Sequence, residues 1–397
     1  MKPLDVAVVG GGTAGAASAI FLSRAGHRVT LHERVAEPGP LGAGIVLQPS
    51  GLEVLRALGL DAPILAAGAR LDRLRCRTRR RGLFELHYDR VGGDLFGLGL
   101  HRGVLFQTLH GALQASDVDL QLGRDVLRLE ADGDRHHVRH PRGRSGPYDL
   151  VVVADGARSV LREQVFPHST TRSYPWGALW FVGPLGDLPP ELYQVVDGTR
   201  EMVGLLPTGL GPEPSRGPLA SLFYSVALRD VAALRATPLA AWKAHVCQRL
   251  PAAARLVEQL VSWDQLLFAA YHDVVMPRWH DRGVVLLGDA AHATSPQLGQ
   301  GCNLALGDAA ALATALERAS CLPTALASYS RERRAVLAFY QRASRWLTPL
   351  FHSDDSVLGA LRDATFPIFS RLPFFERRMI ETMAGLSTGW LSSRATG

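Results

Sequence analysis

The chain opens on an apolar run, Leu4 to Val9, interrupted only by Asp5, and then turns through Gly10-Gly11-Gly12. A run that is apolar at nearly every position reads as a strand buried on both faces, as in a parallel sheet. Thr13 to Ala25 follows with small, helix-compatible residues, and Arg28 to Glu33 forms a second strand ending on an acid. Together these predict a βαβ unit. Two more short apolar runs come far downstream. Leu150 to Ala154 closes in Asp155-Gly156, and Val284 to Leu287 closes in Gly288-Asp289. Each is followed by helix-compatible sequence, so one sheet interrupted by long insertions is expected.

The insertions have a different period. Leu74, Cys76 and Thr78 alternate with Arg73, Arg75, Arg77 and Arg79, and Phe84, Leu86 and Tyr88 alternate after a turn near Gly82. Period two predicts a hairpin with one arginine-rich face. Strand-like runs recur at Ala178–Val182, Leu192–Val196, Glu201–Leu206, Leu219–Leu228 and Leu266–Val275, with Pro/Gly-rich breaks between them. These predict an antiparallel sheet covered by helices from 230–262. Beyond about residue 300 the pattern is helical, and from Trp346 onward basic and bulky apolar residues alternate. The fold class is α/β.

Composition narrows the picture. With 397 residues, 47% of them hydrophobic, two domains with large cores are expected. A charged fraction of 20% excludes a disordered chain. The net charge of +6 comes almost wholly from arginine, since Lys2 and Lys243 are the only lysines. No basic tail or aromatic-basic interleaving is present, so no nucleic-acid partner is expected. The four cysteines, Cys76, Cys247, Cys302 and Cys321, show neither metal spacing nor a disulfide framework, which suggests a reducing, cytoplasmic setting and no metal. The first apolar run is too short for a signal peptide or a membrane span. The expectation is a soluble protein, peripheral to a membrane at most.

Three motifs carry chemistry. Gly10-Gly11-Gly12-Thr13-Ala14-Gly15 is a G-x-G-x-x-G between strand and helix. Gly10 permits the tight turn, Gly12 lets a pyrophosphate approach the backbone, and Gly15 lets helix and strand pack closely. The helix N-terminus would meet the phosphate. Glu33 lies at roughly the 20-residue offset of an acid that accepts from ribose hydroxyls, which favours FAD or NAD over NADP in this unit. The second motif is Asp155-Gly156-Ala157-Arg158-Ser159, with Arg162 following; alone it would be an ordinary turn. The third runs from Gly288-Asp289 through Pro296-Gln297-Leu298-Gly299-Gln300-Gly301-Cys302-Asn303. Asp289 can accept from sugar or ribityl hydroxyls, and the helix starting near Gly301 can stabilise negative charge on a reduced ring.

In order and spacing this trio resembles the para-hydroxybenzoate hydroxylase-like family of FAD-dependent monooxygenases, the single-component aromatic hydroxylases, over residues 1–345. The resemblance implies a Rossmann-like FAD-binding domain of the glutathione-reductase type from residues 1–72, 98–170 and 276–345. It implies a substrate domain from 73–97 and 171–275, and a C-terminal helical segment from 346–397. By the same resemblance, Gly10, Gly12, Thr13, Ala14, Gly15, Glu33 and Arg34 hold the ADP half of FAD, with Val126 also on the cofactor side. Arg102 serves the phosphate-ribityl region, and Asp155, Gly156 and Arg158 support both FAD and nicotinamide. Asp289 binds the ribityl chain, and Pro296, Gly299, Gln300, Gly301, Cys302 and Asn303 line the isoalloxazine beside the Gly42-Ala43-Gly44-Ile45 loop. The implied reaction uses NADH or NADPH and dioxygen to hydroxylate an aromatic or electron-rich small molecule through a flavin hydroperoxide. It implies no dedicated catalytic acid or base.

Plainer readings stand beside several of these. The Arg77–Arg81 run suits a solvated hairpin face. His136, His137 and His140 read as a solvated polar turn, and His292 as structural. Trp176, Trp180, Phe223, Tyr224 and Tyr271 suit a pocket or a core equally. A flavin halogenase remains an alternative within the fold, although Trp176-Gly-Ala-Leu-Trp180 lacks that group's tryptophan spacing and neither lysine has an evident route to a pocket. A membrane-peripheral FAD-binding component of a biosynthetic assembly is the other alternative. It rests on Phe351, Leu358, Leu361, Phe366, Phe369, Phe374 and Phe375 in the tail, which has some likeness to ubiquinone-pathway hydroxylases. Helices packed over the FAD domain are the simpler account of that tail.

Overall fold

The computed structural model describes residues 1–40 and 42–394; the last three residues of the C-terminal segment lie outside it. The early apolar runs meet in one six-stranded sheet. Its order is His280–Asp281, Val284–Leu286, Leu150–Val153, Asp5–Val9, Arg28–Glu33, Asp119–Leu122. All neighbours are parallel except the short His280–Asp281 edge. Val6 lies opposite Leu150 and Val151 opposite Val284, so strands separated by more than a hundred residues sit side by side. Helices Thr13–Arg24 and Gly301–Arg318 cover this sheet, and Val6, Val8, Ile20, Leu31, Leu150, Leu306 and Leu312 belong to its core.

A second, seven-stranded sheet runs Leu267–Val275, Thr170–Pro184, Pro218–Ala227, Glu201–Leu210, Glu191–Asp197, Arg73–Thr78, Gly82–His87. It is antiparallel except where Glu191–Asp197 pairs in parallel with Arg73–Thr78. That exception has a simple origin: the arginine hairpin comes from an earlier insertion and docks on the edge of a sheet completed later. One face packs beneath Leu239–Arg249 and Ala254–Val257 through Leu179, Leu205, Leu222, Trp242 and Val246. The other face contributes Leu74, Leu86, Met202 and Phe223 to a cluster shared with Phe351 and Ile380 of the C-terminal helices.

Three features depart from expectation. Arg128–Asp132, Arg135–His140 and Gly143–Tyr148 form a three-stranded sheet in which His136 and His140 are buried, so this is no solvated turn. Alternation explains it: His136, Val138 and His140 face inward while Arg135, His137 and Arg139 face outward. Gly44–Leu47, Ala69–Leu71 and Gly97–His101 make another small sheet that bridges toward the seven-stranded one. Lastly, the C-terminal helices do not simply cover the six-stranded sheet. Ser356–Phe369 seats on the hairpin through Phe366 against Phe84, with ring centroids 6.2 Å apart. No helix among the described residues is long and apolar enough to cross a membrane.

Candidate active site

The glycine turn is specified by three distinct contacts. Gly10 has φ +101°, and a Cβ there would lie 2.5 Å from the Ala154 carbonyl oxygen of the neighbouring strand. A Cβ on Gly15 would lie 1.9 Å from the Gly10 carbonyl oxygen. Both positions therefore exclude any side chain. Gly12 differs, because a Cβ there meets no atom of the described residues within 4 Å. It faces open space at the N-terminus of Thr13–Arg24, whose first intrahelical bond is donated by Ala16 to the Gly12 carbonyl at 2.8 Å. The amides of Thr13, Ala14 and Gly15 thus have no helical partner and form an anion-accepting pole. The cradle fits a pyrophosphate.

Glu33 is tethered rather than free. Its Oε2 accepts from the Gly11 amide at 2.7 Å and its Oε1 from the Val35 amide at 2.8 Å. A carboxylate has further lone pairs, so the tether orients it and leaves capacity for a hydroxyl. Arg34 beside it is exposed, and the segment leading to buried Val126 is pinned by an Arg124 amide donating to the Glu33 carbonyl at 2.8 Å.

The Asp-Gly turn abuts this cradle. A Cβ on Gly10 would lie 3.1 Å from the Asp155 Cα, and Gly156 takes φ +90°. Burial pushes the Asp155 carboxyl above its usual range, and its Oδ1 has no partner among the described residues, as expected of a group placed for a ligand. Arg158 is exposed. Arg162 is almost fully buried and links two motifs: it donates to the Ala157 carbonyl at 2.8 Å, the Thr171 hydroxyl at 2.8 Å and the Ala290 carbonyl at 2.9 Å.

The Gly-Asp turn rests on a buried ionic cluster with no counterpart in the motif reading. Asp308 accepts from the Gly288 amide at 2.9 Å, contacts His292 Nε2 at 2.5 Å and accepts from Arg333 Nε at 2.7 Å. Burial pushes the Asp308 carboxyl up, but His292 and Arg333 outweigh it and hold it down at about 2. His292 is thereby structural. Gly288 packs against the fingerprint helix, since a Cβ there would sit 2.9 Å from the Ala14 Cβ. Asp289 is exposed, with its carboxylate 3.9 Å from where a Gly301 Cβ would be. Two helix N-termini, at Thr13 and Gly301, thus converge near one acid. Cys302 lies between them, its thiol pushed up to about 12 by burial.

Other expected residues are placed differently. Asn303 is spent on backbone: its Oδ1 accepts from the Gln48 amide at 2.9 Å, and its Nδ2 donates to Val46 and Gly299 carbonyls at 3.1 and 3.2 Å. Gln300 donates to the Met383 carbonyl at 2.7 Å, joining the Pro296–Gly299 turn to the C-terminal segment. Arg102 lies along the Gly42 loop, with its Cδ 3.0 Å from where a Gly42 Cβ would be. Gly44 makes the approach to the second sheet. Its amide donates to Ser221 Oγ at 2.8 Å, and a Cβ would meet Ser221 Oγ and Thr208 Cγ2 at 2.6 Å each.

From Ser221 an aromatic strip runs across the sheet. Phe223 is on the same face, opposite both Trp180 and Gly204. Its ring occupies the space of an absent side chain, as a Gly204 Cβ would be 2.1 Å from Phe223 Cζ. Trp180 packs on Phe223 at 5.2 Å, and burial pushes the phenol of Tyr271, on the neighbouring strand, up to about 12. The same-face positions Ala178–Val182, Met202–Leu206 and Ser221–Ala227 carry no charged residue.

Comparison with known proteins agrees with this arrangement. The model of a family described as "FAD binding domain" matches residues 3–344. A 3-amino-4-hydroxybenzoate 2-monooxygenase of Streptomyces cremeus is 29% identical, covering 100% of this chain and 96% of the relative. A 2-heptyl-3-hydroxy-4(1H)-quinolone synthase of Mycobacteroides abscessus is 30% identical over 85% of this chain and 88% of its own. The crystal structure of P. aeruginosa PqsL with 2-aminobenzoylacetate superposes with a TM-score of 0.80 at 25% identity, covering 91% of this chain and 100% of that one. With glycine cradle, tethered acid and paired strand-end motifs in place, the chain belongs to the FAD-binding, para-hydroxybenzoate hydroxylase-like monooxygenases.

Proposed function

We propose that this monooxygenase hydroxylates a neutral, apolar aromatic compound of the quinolone or simple phenol type, using NADH or NADPH and dioxygen. The observation that carries the reading is the uncharged aromatic strip of Trp180 and Phe223 beside the Gly44 loop. A carboxylate buried there would lack a cation, a cost of several kcal/mol by order of magnitude. Of the nearby arginines, Arg102 beside the Gly42 loop is assigned to the phosphate-ribityl region of FAD, Arg73 and Arg75 bind Glu191 on the opposite face, and buried Arg362 is held by Asp363 and two carbonyls. When bound, FAD supplies the redox chemistry between nicotinamide and dioxygen. The chain's part is to hold the pyrophosphate on the Thr13–Gly15 amides, the ribityl side near Asp289, and the substrate ring on the strip, shielded from water. Lys243 donates to the carbonyls of Glu258 and Leu260 at 3.0 and 2.9 Å, on the outer cover of the second sheet. Lys243 is therefore not placed as the amine that a halogenase reading needs.

The test follows reduced-nicotinamide oxidation and flavin difference spectra with matched neutral and carboxylated ligands, alkylquinolones against hydroxybenzoates. Neutral ligands are expected to bind at least about tenfold more tightly; a preferred carboxylate would overturn the assignment. Within the flavin site, Asp289→Ala should weaken FAD binding by about ten- to a hundredfold, the scale of a charge-assisted hydrogen bond. Asp155→Ala should impair nicotinamide-driven reduction at least as much as flavin retention, as read by stopped-flow on FAD-saturated protein. Unchanged reduction in that variant would remove the dual role. The proposed setting is the cytoplasm, with the C-terminal segment in contact with a membrane.

A further inference from the structure

The arginine run and the apolar tail, remote in sequence, are neighbours in space. The hairpin turn carries Arg79, Arg80 and Arg81, all exposed. Two residues beyond it, the Leu83 carbonyl accepts from Ser370 Oγ at 3.3 Å, in the turn that joins helices Ser356–Phe369 and Pro373–Met383. That turn is unusually apolar for a surface. Ile368 is 61% exposed and Phe374 57%, and Phe369, Leu372 and Phe375 are exposed beside them. Val357, Leu361 and Ile368 continue the stripe along one side of the helix, at a spacing that brings them to one face. Phe369 packs at a tilt on Phe375 with ring centroids 4.9 Å apart, and Phe374 meets Phe375 edge-on at 5.5 Å, so the aromatics form a single wedge.

The charges around the wedge are lopsided. Glu376 and Glu381 are consumed by Arg90, Arg377 and Arg378. Among the described residues Arg79, Arg80, Arg81 and Arg371 form no ion pair. An exposed aromatic wedge rimmed by unpaired arginines matches the two requirements of an anionic bilayer surface: apolar side chains to bury at the headgroup boundary and cations for the lipid phosphates.

We propose that the Arg79–Arg81 turn and the Ile368–Phe375 wedge together form a docking surface for anionic phospholipid membranes. This deepens the membrane contact proposed above and rests on no part of the hydroxylation reading, since the surface lies outside the flavin site.

The experiment is flotation of the flavin-loaded full chain with vesicles of phosphatidylcholine alone and of phosphatidylcholine mixed with phosphatidylglycerol, at low and high salt. The protein should float with the anionic vesicles, and salt should reduce the bound fraction. Replacing Arg79, Arg80 and Arg81 together by Gln should lower partitioning about a hundredfold. Phe374→Ser with Phe375→Ser should lower it at least about tenfold while the remainder stays salt-sensitive. Bound-flavin absorbance and soluble-substrate turnover should match wild type in both variants, separating this result from the enzymatic assignment. Failure of the wild-type protein to bind anionic vesicles, or equal binding by the variants, would overturn the proposal. So would a dimer in sedimentation velocity that dissociates in the Phe374→Ser/Phe375→Ser variant, because the wedge would then belong to a second copy.

Discussion

Gly12→Val should purify folded and colourless. The position has φ −71°, so valine meets no backbone strain, and a Cβ encounters nothing within 4 Å among the described residues, so the protein without flavin keeps its packing. What the isopropyl group fills is the space in front of the Thr13–Gly15 amides. Overpacking costs roughly 1–3 kcal/mol, and displacing a phosphate oxygen from a backbone donor costs about 1.5–3 kcal/mol more. FAD affinity should fall at least about a hundredfold. Gly15→Ala provides the contrast. Its Cβ would sit 1.9 Å from the Gly10 carbonyl oxygen, so that variant should lose thermal stability together with flavin. Melting curves of the flavin-free proteins beside absorbance of the purified ones distinguish the two. A yellow Gly12→Val protein would sink the cradle assignment.

Arg333→Met is expected to be the most destabilising single change. It leaves the Asp308 carboxylate buried with only His292 and the Gly288 amide to answer it. Breaking one side of such a buried pair costs about 3–5 kcal/mol. The cluster also has a pH signature. The Asp308 carboxyl is held at about 2, below its ordinary 3.8, so its contribution is complete above about pH 4 and is lost as pH falls toward 2. Removing Arg333 weakens that depression, and the acid-unfolding midpoint should move upward. Asp308→Leu with Arg333→Met should recover part of the loss, because a well-packed apolar pair is often no worse than a buried ionic one. Because Asp308 holds the Gly288 turn, flavin affinity should track these changes. An Arg333→Met protein with wild-type urea midpoint and flavin content would show that the cluster is dispensable.

The legible parts of this fold are those where burial and period coincide. Asp5–Val9, Leu150–Val153 and Val284–Leu286 are central strands and nearly all apolar, so they stand out from any distance along the chain. The hairpin was visible through alternation alone. The Arg135–His140 strand was not, because two of its three inward positions, His136 and His140, are histidines, which carry no apolar signal. Gly44–Leu47 and Gly97–His101 were hidden for the opposite reason. Their glycines serve close approach, Gly44 to Ser221 and Gly99 to within 1.9 Å of the Pro207 carbonyl oxygen if a Cβ were added, and glycine ordinarily argues against a strand. In the site, the motif spacing located Asn303 and Gln300 but could not show that their amides serve the backbone. Asp308 does carry a signal: it is an acid within the apolar run Leu304–Leu312, which demands a buried partner. Its partner Arg333 lies on the next helix, and nothing local in the sequence joins them.

The strand order has a consequence for biosynthesis. The first strand of the nucleotide-binding sheet is made well before its partners: its neighbour Leu150–Val153 follows some 140 residues later, and the flanking Val284–Leu286 some 280 residues later. At roughly 5–20 residues per second, an unpaired apolar edge persists for many seconds while both insertions are made. Such non-local pairing makes closure slow, and it leaves the nascent chain open to wrong edge-to-edge association. The yield of folded protein in a cell should therefore depend on chaperone capacity and growth temperature more than on the stability of the finished molecule.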